Sequence, residues 1–192
     1  MPLLGPDDLL PRPPQRVLVN GTSGSGKSTL ARLIGEHLDL PYTELDSLFH
    51  GPAWVPRETF CEDVDRFSSQ DRWVTEFQYD PVRPMLAERA DLFVWLDLPR
   101  RLVMMRLLRR TVSRRWRRTT LWNGECEPPL RTFFTDPEHV VRYAWRGHPS
   151  TRERAHAVMQ THPDLVVVRL RSAREVVRWL GTALPQARAG KS

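Results

Sequence analysis

The sequence predicts an α/β fold in which parallel strands alternate with helices, and three observations lead to this expectation. Short apolar runs alternate along the chain with segments whose apolar residues recur every three or four positions. One run, residues 92–97, is apolar up to its final aspartate, as is typical of a strand covered on both faces. A glycine-rich stretch, residues 21–26, separates the first apolar run from the first helical pattern.

The first half of the chain contains three strand-like segments. They are residues 16–20, 42–46 and 72–77. A helix is predicted at residues 29–38, where apolar residues follow helical spacing. Pro56 is predicted to open a second helix, since proline suits a first helical turn, and a short third helix is predicted at residues 81–90.

Two further strands are predicted in the second half, at residues 92–97 and 165–170. A long helix is expected to begin at Pro99. Residues 119–135 show no periodicity and are predicted to form a loop. The helical stretch that follows is predicted to break near Pro149, because proline lacks the N–H group that a helix interior needs.

The chain ends suggest the domain limits. Ser172 and Glu175 form a capping box that opens the last predicted helix. Residues 1–14 are rich in proline and are predicted to form a flexible arm, and residues 183–192 a flexible tail. The segment between them, residues 15–182, is predicted to be a single domain.

Composition narrows the class of protein. The chain has 192 residues, a net charge of +6 and two cysteines without metal-ligand spacing. Neither a signal peptide nor a membrane span is predicted, since no apolar run approaches the roughly 20 residues that a span needs. We therefore expect a cytoplasmic protein without a membrane partner.

The glycine-rich loop carries the strongest functional signal. Residues 21–28 match the Walker A pattern G-x-x-x-x-G-K-[ST] at every fixed position. Glycines let consecutive backbone N–H groups point at a phosphate, and the following helix N-terminus adds partial positive charge. The predicted nucleotide-binding residues are Gly21, Thr22, Ser23, Gly24, Ser25, Gly26, Lys27, Ser28 and Thr29.

Lysine usage supports this interpretation. Of the 29 basic residues only Lys27 and Lys191 are lysines. Lys27 thus stands where a compact ammonium can reach the β- and γ-phosphates of ATP, while the Ser28 hydroxyl can hold Mg²⁺.

The positive charge is concentrated in one segment, residues 100–118. Its nine arginines are Arg100, Arg101, Arg106, Arg109, Arg110, Arg114, Arg115, Arg117 and Arg118. Without them the net charge would fall from +6 to −3. Such a block indicates an anionic partner, which is nucleotide phosphates, nucleic acid or a membrane surface, with a solvated arginine face as the alternative.

These motifs, in this order, resemble the adenylate-kinase-like branch of the P-loop kinases, and more closely the bacterial DNA topology modulation proteins. The matching positions are residues 21–30, Leu45, Asp46, Leu48, Pro52, Trp54, Trp73, Val74, Glu76, Tyr79, Ala90, Asp91, Trp95, Leu96, Asp97, Pro99, Tyr143 and Trp145. The resemblance implies a three-layer P-loop NTPase fold with a five-stranded parallel sheet. It also implies ATP and Mg²⁺ as cofactors and a helical, arginine-rich lid at about residues 100–155.

The resemblance also assigns roles to acidic residues. Glu76 ends the third strand in the sequence Glu-Phe-Gln-Tyr, where the family usually has Asp-Gly-Asn-Tyr. It is expected either to order Mg²⁺-bound water or to act as the base, with a plain strand-end role as the alternative. Asp97 follows an apolar run, as a Walker B aspartate does, but the resemblance implies a structural role for it.

The predicted acceptor site includes Asp46, at the end of the second strand, together with Trp54 and Arg114. Asp46 is alternatively the cap of the next turn, and Trp54 a packing residue. Arg106 and Arg110 lie four residues apart on one helix face and are expected to clamp phosphates.

The favoured hypothesis is a kinase that transfers the γ-phosphoryl group of ATP to a small molecule: a nucleotide, a nucleoside or another hydroxyl compound. The alternative is a nucleotide-dependent nucleic-acid-binding protein without kinase activity. A third possibility is a protein that binds ATP and transfers nothing.

Overall fold

Six strands form one parallel sheet within the described part of the computed structural model. The structure describes the backbone of residues 3–51, 55–116 and 140–189, and the side chains of residues 3–51, 55–109 and 149–186. The strands are β1 (Leu3–Leu4), β2 (Arg16–Gly21), β3 (Tyr42–Thr43), β4 (Trp73–Glu76), β5 (Leu92–Leu96) and β6 (Val166–Leu170). Their order across the sheet is β1-β6-β5-β2-β4-β3.

Helices cover both faces of this sheet. Those described are α1 (Lys27–Leu38), α2 (Leu45–Phe49), α3 (Phe60–Ser68), α4 (Arg83–Arg89), α5 (Arg100–Trp116), α6 (Val140–Thr161), α7 (Ala173–Gly181) and α8 (Ala183–Ala189). Apolar residues of α1, α5, α7 and α8 form one core cluster with the sheet, and those of α3, α4 and α6 form the other. Alternation along β2 explains the two layers, since Val17 and Val19 join the first cluster and Leu18 the second. The predicted α/β fold with a parallel sheet is therefore confirmed.

The predicted number of strands is wrong by one. Leu3 and Leu4, which the sequence places in a flexible arm, pair in parallel with Val167 and Val168 of β6. A two-residue strand shows no alternation that a sequence pattern can detect. The same limit applies to β3, which ends at Thr43 and not at residue 46.

The chain after residue 182 also differs from the prediction. Residues 183–189 form α8, and Ala183 and Leu184 are buried in the core cluster that contains α1. The predicted flexible tail is therefore wrong for these residues. The burial of two small apolar side chains is a tertiary effect that local composition does not reveal.

Two predicted helix boundaries are wrong as well. α6 runs without a break through Pro149, because Thr151, Ala155 and Val158 on its following turns are buried and hold it in place. α3 begins at Phe60 and not at Pro56. The capping box is confirmed, since the backbone N–H of Glu175 donates to Ser172 Oγ over 3.2 Å.

The strand order determines where a site can form. β2 lies at the centre, and the chain passes from β2 through β3 and β4 on one side to β5 on the other. In open α/β sheets the crevice for ligands lies at the carboxyl ends of the strands beside such a reversal. The glycine-rich loop leaves β2 at this edge, and Glu76 ends β4 beside it.

Candidate functional site

The glycine-rich loop joins the end of β2 to the start of α1. Gly24 has a φ of 83° and Gly26 a φ of 97°, values in the left-handed region that glycine adopts without strain. Gly26 is also the N-cap residue of α1. The loop is closed by a hydrogen bond of 2.9 Å from the Ser25 N–H to the Thr22 carbonyl. Backbone N–H groups at such a helix N-terminus form a ready anion site.

Two further observations fit a phosphate group in this loop. Ser25 Oγ is buried without a hydrogen-bond partner among the described residues. A Cβ on Gly21 would lie only 2.5 Å from that oxygen, so the loop has no room for a side chain there. Lys27 and Ser28, in the first turn of α1, are both partly exposed and are the residues that would hold ATP and Mg²⁺.

Helix α5 lies directly over the loop. Arg106 donates from Nη1 to the Ser25 carbonyl over 3.2 Å. A Cβ on Gly24 would lie 3.1 Å from the Cβ of Leu107, which shows how closely helix and loop pack. Arg106 is thus beside the loop, where a phosphate clamp is expected. The side chains of Arg110 and Arg114 lie outside the described residues, so their roles stay predictions.

Glu76 lies buried at the end of β4, with 1% of its surface exposed. The Tyr42 phenol donates to Glu76 Oε1 over 2.7 Å, and the Leu45 N–H donates to Oε2 over 3.4 Å. Burial, followed by the hydrogen bond to Glu76, raises the pKa of the Tyr42 phenol far above its ordinary value, although the Ser28 hydroxyl, which lies near the phenol, lowers it in part. The phenol therefore keeps its proton and connects Glu76 with Ser28.

Asp46 does not end a strand, as the sequence predicts, but lies in the first turn of α2. The chain turns into this helix at Glu44 because Leu45 packs into the core with no exposed surface. Asp46 Oδ1 accepts hydrogen bonds from Gln78 Nε2 at 2.5 Å and from the Tyr79 phenol at 2.6 Å. Its other oxygen, Oδ2, has no hydrogen-bond partner among the described residues.

Aromatic rings pack beside Asp46. Phe49 stacks on Tyr79 with ring centroids 4.1 Å apart, and Phe60 meets Tyr79 edge-on at 5.2 Å. The Tyr79 phenol also lies 3.4 Å from His50 Nε2. Asp46 therefore lies beside an apolar surface that carries a few fixed polar groups, as small-molecule sites usually do. Trp54, which the sequence adds to this site, lies outside the described residues.

The Glu44 carboxylate lies close to those of Glu76 and Asp46. Burial raises the pKa of Glu44, and the negative charges of Glu76 and Asp46 raise it further. Across the described residues, no group of three or more histidine, cysteine or carboxylate side chains is arranged to hold a metal ion. Mg²⁺ that enters with ATP is usually held by one or two protein oxygens together with the phosphates. Ser28 and Glu76, joined through Tyr42, fit that description.

Asp97 follows β5 and is held by two arginines. Arg152 donates from Nε to Oδ1 over 2.7 Å, and Arg169 donates from Nε to Oδ2 over 2.9 Å. Only 3% of the Asp97 side chain is exposed. This ion-pair network supports the structural role that the resemblance implies for Asp97. It also holds Arg152, in α6, against the end of β5.

Sequence reasoning missed three contacts of the site. Tyr42 and Gln78 hold the two carboxylates, and Thr151 of α6 lies with its hydroxyl 3.4 Å from the Thr22 hydroxyl in the loop. Gln78 could have been found from the local sequence, since it lies two residues after Glu76, where β4 ends. Thr151 could not, because it is 129 residues from its partner.

Comparisons with known proteins agree with this geometry at the level of the fold. No family model matches the chain, and no curated protein matches it. It is similar to a gluconokinase from Sinorhizobium meliloti 1021, with 21% identity and a TM-score of 0.53 over 93% of this chain and 96% of that chain. The chain has the fold of the P-loop kinases.

Two shikimate kinases have the same fold. The enzyme from Aquifex aeolicus vf5 is 12% identical, with a TM-score of 0.50 over 91% of this chain and 97% of that chain. The enzyme from Acinetobacter baumannii in complex with shikimate is 16% identical, with a TM-score of 0.53 over 92% and 94%. The predicted resemblance to DNA topology modulation proteins is not among these findings and stays an interpretation of the sequence. Among the described helices, none combines the length and the apolar character of a membrane span.

Proposed function

We propose that this protein is a kinase that transfers the γ-phosphoryl group of ATP to a hydroxyl group of a small molecule. One observation carries the proposal most directly. The glycine-rich loop and Asp46 are linked through Glu76, whose carboxylate contacts both Tyr42, the partner of Ser28, and the backbone of Leu45, the neighbour of Asp46. The glycine-rich loop and Asp46 thus lie at one edge of the sheet, which supports a phosphate site beside an acceptor site.

On the nucleotide side, the chain binds phosphates and positions charge. Bound ATP with Mg²⁺ supplies the phosphoryl group and neutralises part of its charge. The loop N–H groups hold the phosphates, Lys27 stabilises the β- and γ-oxygens, and Ser28 holds the metal. Arg106, already at the loop, adds a guanidinium group for the charge that develops during transfer.

On the acceptor side, Asp46 binds the hydroxyl that receives the phosphoryl group. Because Gln78 and Tyr79 occupy Oδ1, the carboxylate is fixed and Oδ2 is available to accept the proton of the hydroxyl. The division of roles follows from burial. Glu76 is buried near Ser28 and is assigned to metal binding. Asp46 is partly exposed and is assigned to acceptor binding.

The test is ATP-to-ADP turnover with Mg²⁺ against a panel of acceptors. The panel includes nucleosides, nucleotides and hydroxy acids, among them gluconate and shikimate because of the similar structures. We expect at least one acceptor to stimulate turnover, and Lys27→Ala to abolish it. Lys191→Ala, which removes the other lysine of the chain, is the matched control and should behave as wild type.

Two results would contradict the proposal. Turnover that survives Lys27→Ala would place the activity outside the loop or in a contaminant. If the protein binds ATP but no acceptor stimulates turnover, the nucleic-acid alternative is favoured. Its arginine-rich segment includes Arg101 and Arg109 at exposed positions. Binding to DNA through those arginines would weaken steeply with salt, which a salt titration measures.

A further inference from the structure

We propose that Tyr42 is a positioning residue that holds the Glu76 carboxylate beside the Ser28 hydroxyl, so that both metal-binding oxygens are in place before ATP arrives. This inference rests on the proposed function and deepens it. It assigns Tyr42 to the metal half of the site and separates that half from the acceptor half around Asp46.

The register of the sheet places Tyr42 at this position. Tyr42 of β3 pairs with Val74 of β4, and Glu76 follows two residues later on the same face of the strand. A tyrosine side chain is long enough to cover that offset, and its phenol reaches Oε1 at 2.7 Å. This face of the sheet is the one that α1 covers, since Val74 packs in the core cluster with Leu30 and Ile34.

The phenol can interact with both neighbours at once. A phenol has one hydrogen to donate and oxygen lone pairs to accept with. Donating to Glu76, it can still accept a hydrogen bond from the Ser28 hydroxyl. Ser28 lies in the first turn of α1 and Glu76 at the end of β4, so Tyr42 joins the two elements that carry the metal-binding oxygens.

Glu76 needs such a partner because of its surroundings. Its carboxylate is almost fully buried, and its other hydrogen bond among the described residues, from the Leu45 N–H, is long at 3.4 Å. The Glu44 carboxylate adds negative charge nearby. A buried carboxylate without a short hydrogen bond is costly, so loss of the Tyr42 hydroxyl is expected to displace the Glu76 carboxylate.

The decisive variant is Tyr42→Phe, which removes one oxygen and keeps the ring. Thr75→Val is the matched control. Thr75 donates from Oγ1 to the Thr43 carbonyl over 2.7 Å, so it also supplies a hydroxyl hydrogen bond between β3 and β4. Successive residues of a strand point to opposite faces, so Thr75 lies on the face away from Glu76.

The first measurement is the binding of a non-hydrolysable ATP analogue, followed by calorimetry at a series of Mg²⁺ concentrations without acceptor. The second is the binding of Mn²⁺, followed by electron paramagnetic resonance. Groups that orient metal ligands usually change metal affinity about 10- to 100-fold when they are removed. We expect Tyr42→Phe to raise the half-saturating Mg²⁺ concentration by about tenfold or more. Thr75→Val should lower the melting temperature but leave the Mg²⁺ dependence unchanged.

A double-mutant cycle with Glu76→Gln separates positioning from a general structural effect. If Tyr42 acts through Glu76, adding Tyr42→Phe to Glu76→Gln should change the Mg²⁺ dependence little further. An unchanged Mg²⁺ dependence in folded Tyr42→Phe, or an effect of equal size in both backgrounds, overturns the inference. If Tyr42→Phe does not fold, the cycle is repeated with Tyr42→His, judged by the same criteria. Wild-type protein that binds no ATP analogue at all overturns the proposed function itself, and this inference with it.

Discussion

The Tyr79 phenol donates a hydrogen bond of 2.6 Å to Oδ1 of Asp46, from a backbone position with a φ of 66°. A non-glycine residue in the left-handed region is uncommon and costs free energy, which the surrounding contacts must offset. Here the offsetting contacts are the stacked ring of Phe49 and the edge of Phe60. The chain thus keeps an unfavourable backbone angle where it fixes a carboxylate at the proposed acceptor site.

Tyr79→Phe is expected to weaken acceptor use selectively. A hydrogen bond to a charged group contributes about 1.5–3 kcal/mol, so kcat/KM for the acceptor should fall about tenfold or more. The KM for ATP and its Mg²⁺ dependence should not change, because the loop is untouched. Steady-state kinetics with each substrate varied in turn checks this. Equal changes in both KM values would show that Tyr79 supports the whole site and not Asp46 alone.

Gly24→Ala is expected to damage the nucleotide loop. The φ of 83° disfavours alanine by about 1 kcal/mol, and the new Cβ would press on Leu107 at 3.1 Å. Affinity for ATP should fall at least tenfold in a calorimetric titration. Gly181→Ala, at the end of α7, is the control, because its Cβ would meet nothing within 4 Å. An unchanged ATP affinity in Gly24→Ala would mean that the loop conformation does not govern binding.

Asp97→Asn should reduce stability. Loss of one partner of a buried ion pair costs about 3–5 kcal/mol, and we expect about 2 kcal/mol here, because the Arg152 side chain is 50% exposed. The free energy of unfolding, measured in urea, checks this value. Glu36→Gln breaks the ion pair with Arg32, in which both side chains are more than half exposed, and should cost less than about 0.5 kcal/mol. Equal effects of the two substitutions would contradict the proposed contribution of the Asp97 network.

Asp91 predicts a specific dependence of stability on pH. Burial raises the pKa of Asp91, although the Gln15 and Arg16 N–H groups, which donate to its two oxygens over 2.9 and 3.1 Å, lower it in part. A raised pKa means that the folded chain holds this proton more tightly than the unfolded chain does. The contribution of Asp91 is therefore most favourable below the ordinary value of about 3.9. It falls as the pH rises from there to the folded pKa.

The variant Asp91→Asn removes this ionisation. Relative to wild type, it should be more destabilised near pH 4 than near pH 7, because only the wild type loses stability between the two. Urea unfolding of both proteins over this range measures the difference. A constant difference at all pH values would show that the raised pKa of Asp91 has no effect on folding.

The sequence was sufficient for the features that depend on local pattern. The glycine spacing of the loop, the apolar run of β5 and the capping box at Ser172 each follow from neighbouring residues. The parallel arrangement follows from the alternation of strands and helices. Glu76 is singled out by the family resemblance, and the structure places it at the end of β4 beside the loop, while its role stays a prediction.

The remaining features depend on contacts between distant residues. Tyr42 and Glu76 are 34 residues apart, and Thr22 and Thr151 are 129 apart, so no local pattern connects either pair. Asp46 was predicted at a strand end because β3 was expected to be longer, but burial of Leu45 starts a helix there. α6 continues through Pro149 because tertiary packing outweighs the loss of one backbone hydrogen bond.

The two-residue strand β1 affects how this protein can be truncated or tagged. It covers the outer side of β6, where Val167 and Val168 would otherwise offer open N–H and C=O groups to another molecule. Removing the first residues to obtain a shorter protein, or fusing a purification tag next to Leu3, would expose or disturb that edge. Such preparations should aggregate when they are concentrated, whereas protein with a tag at the other terminus should stay in solution.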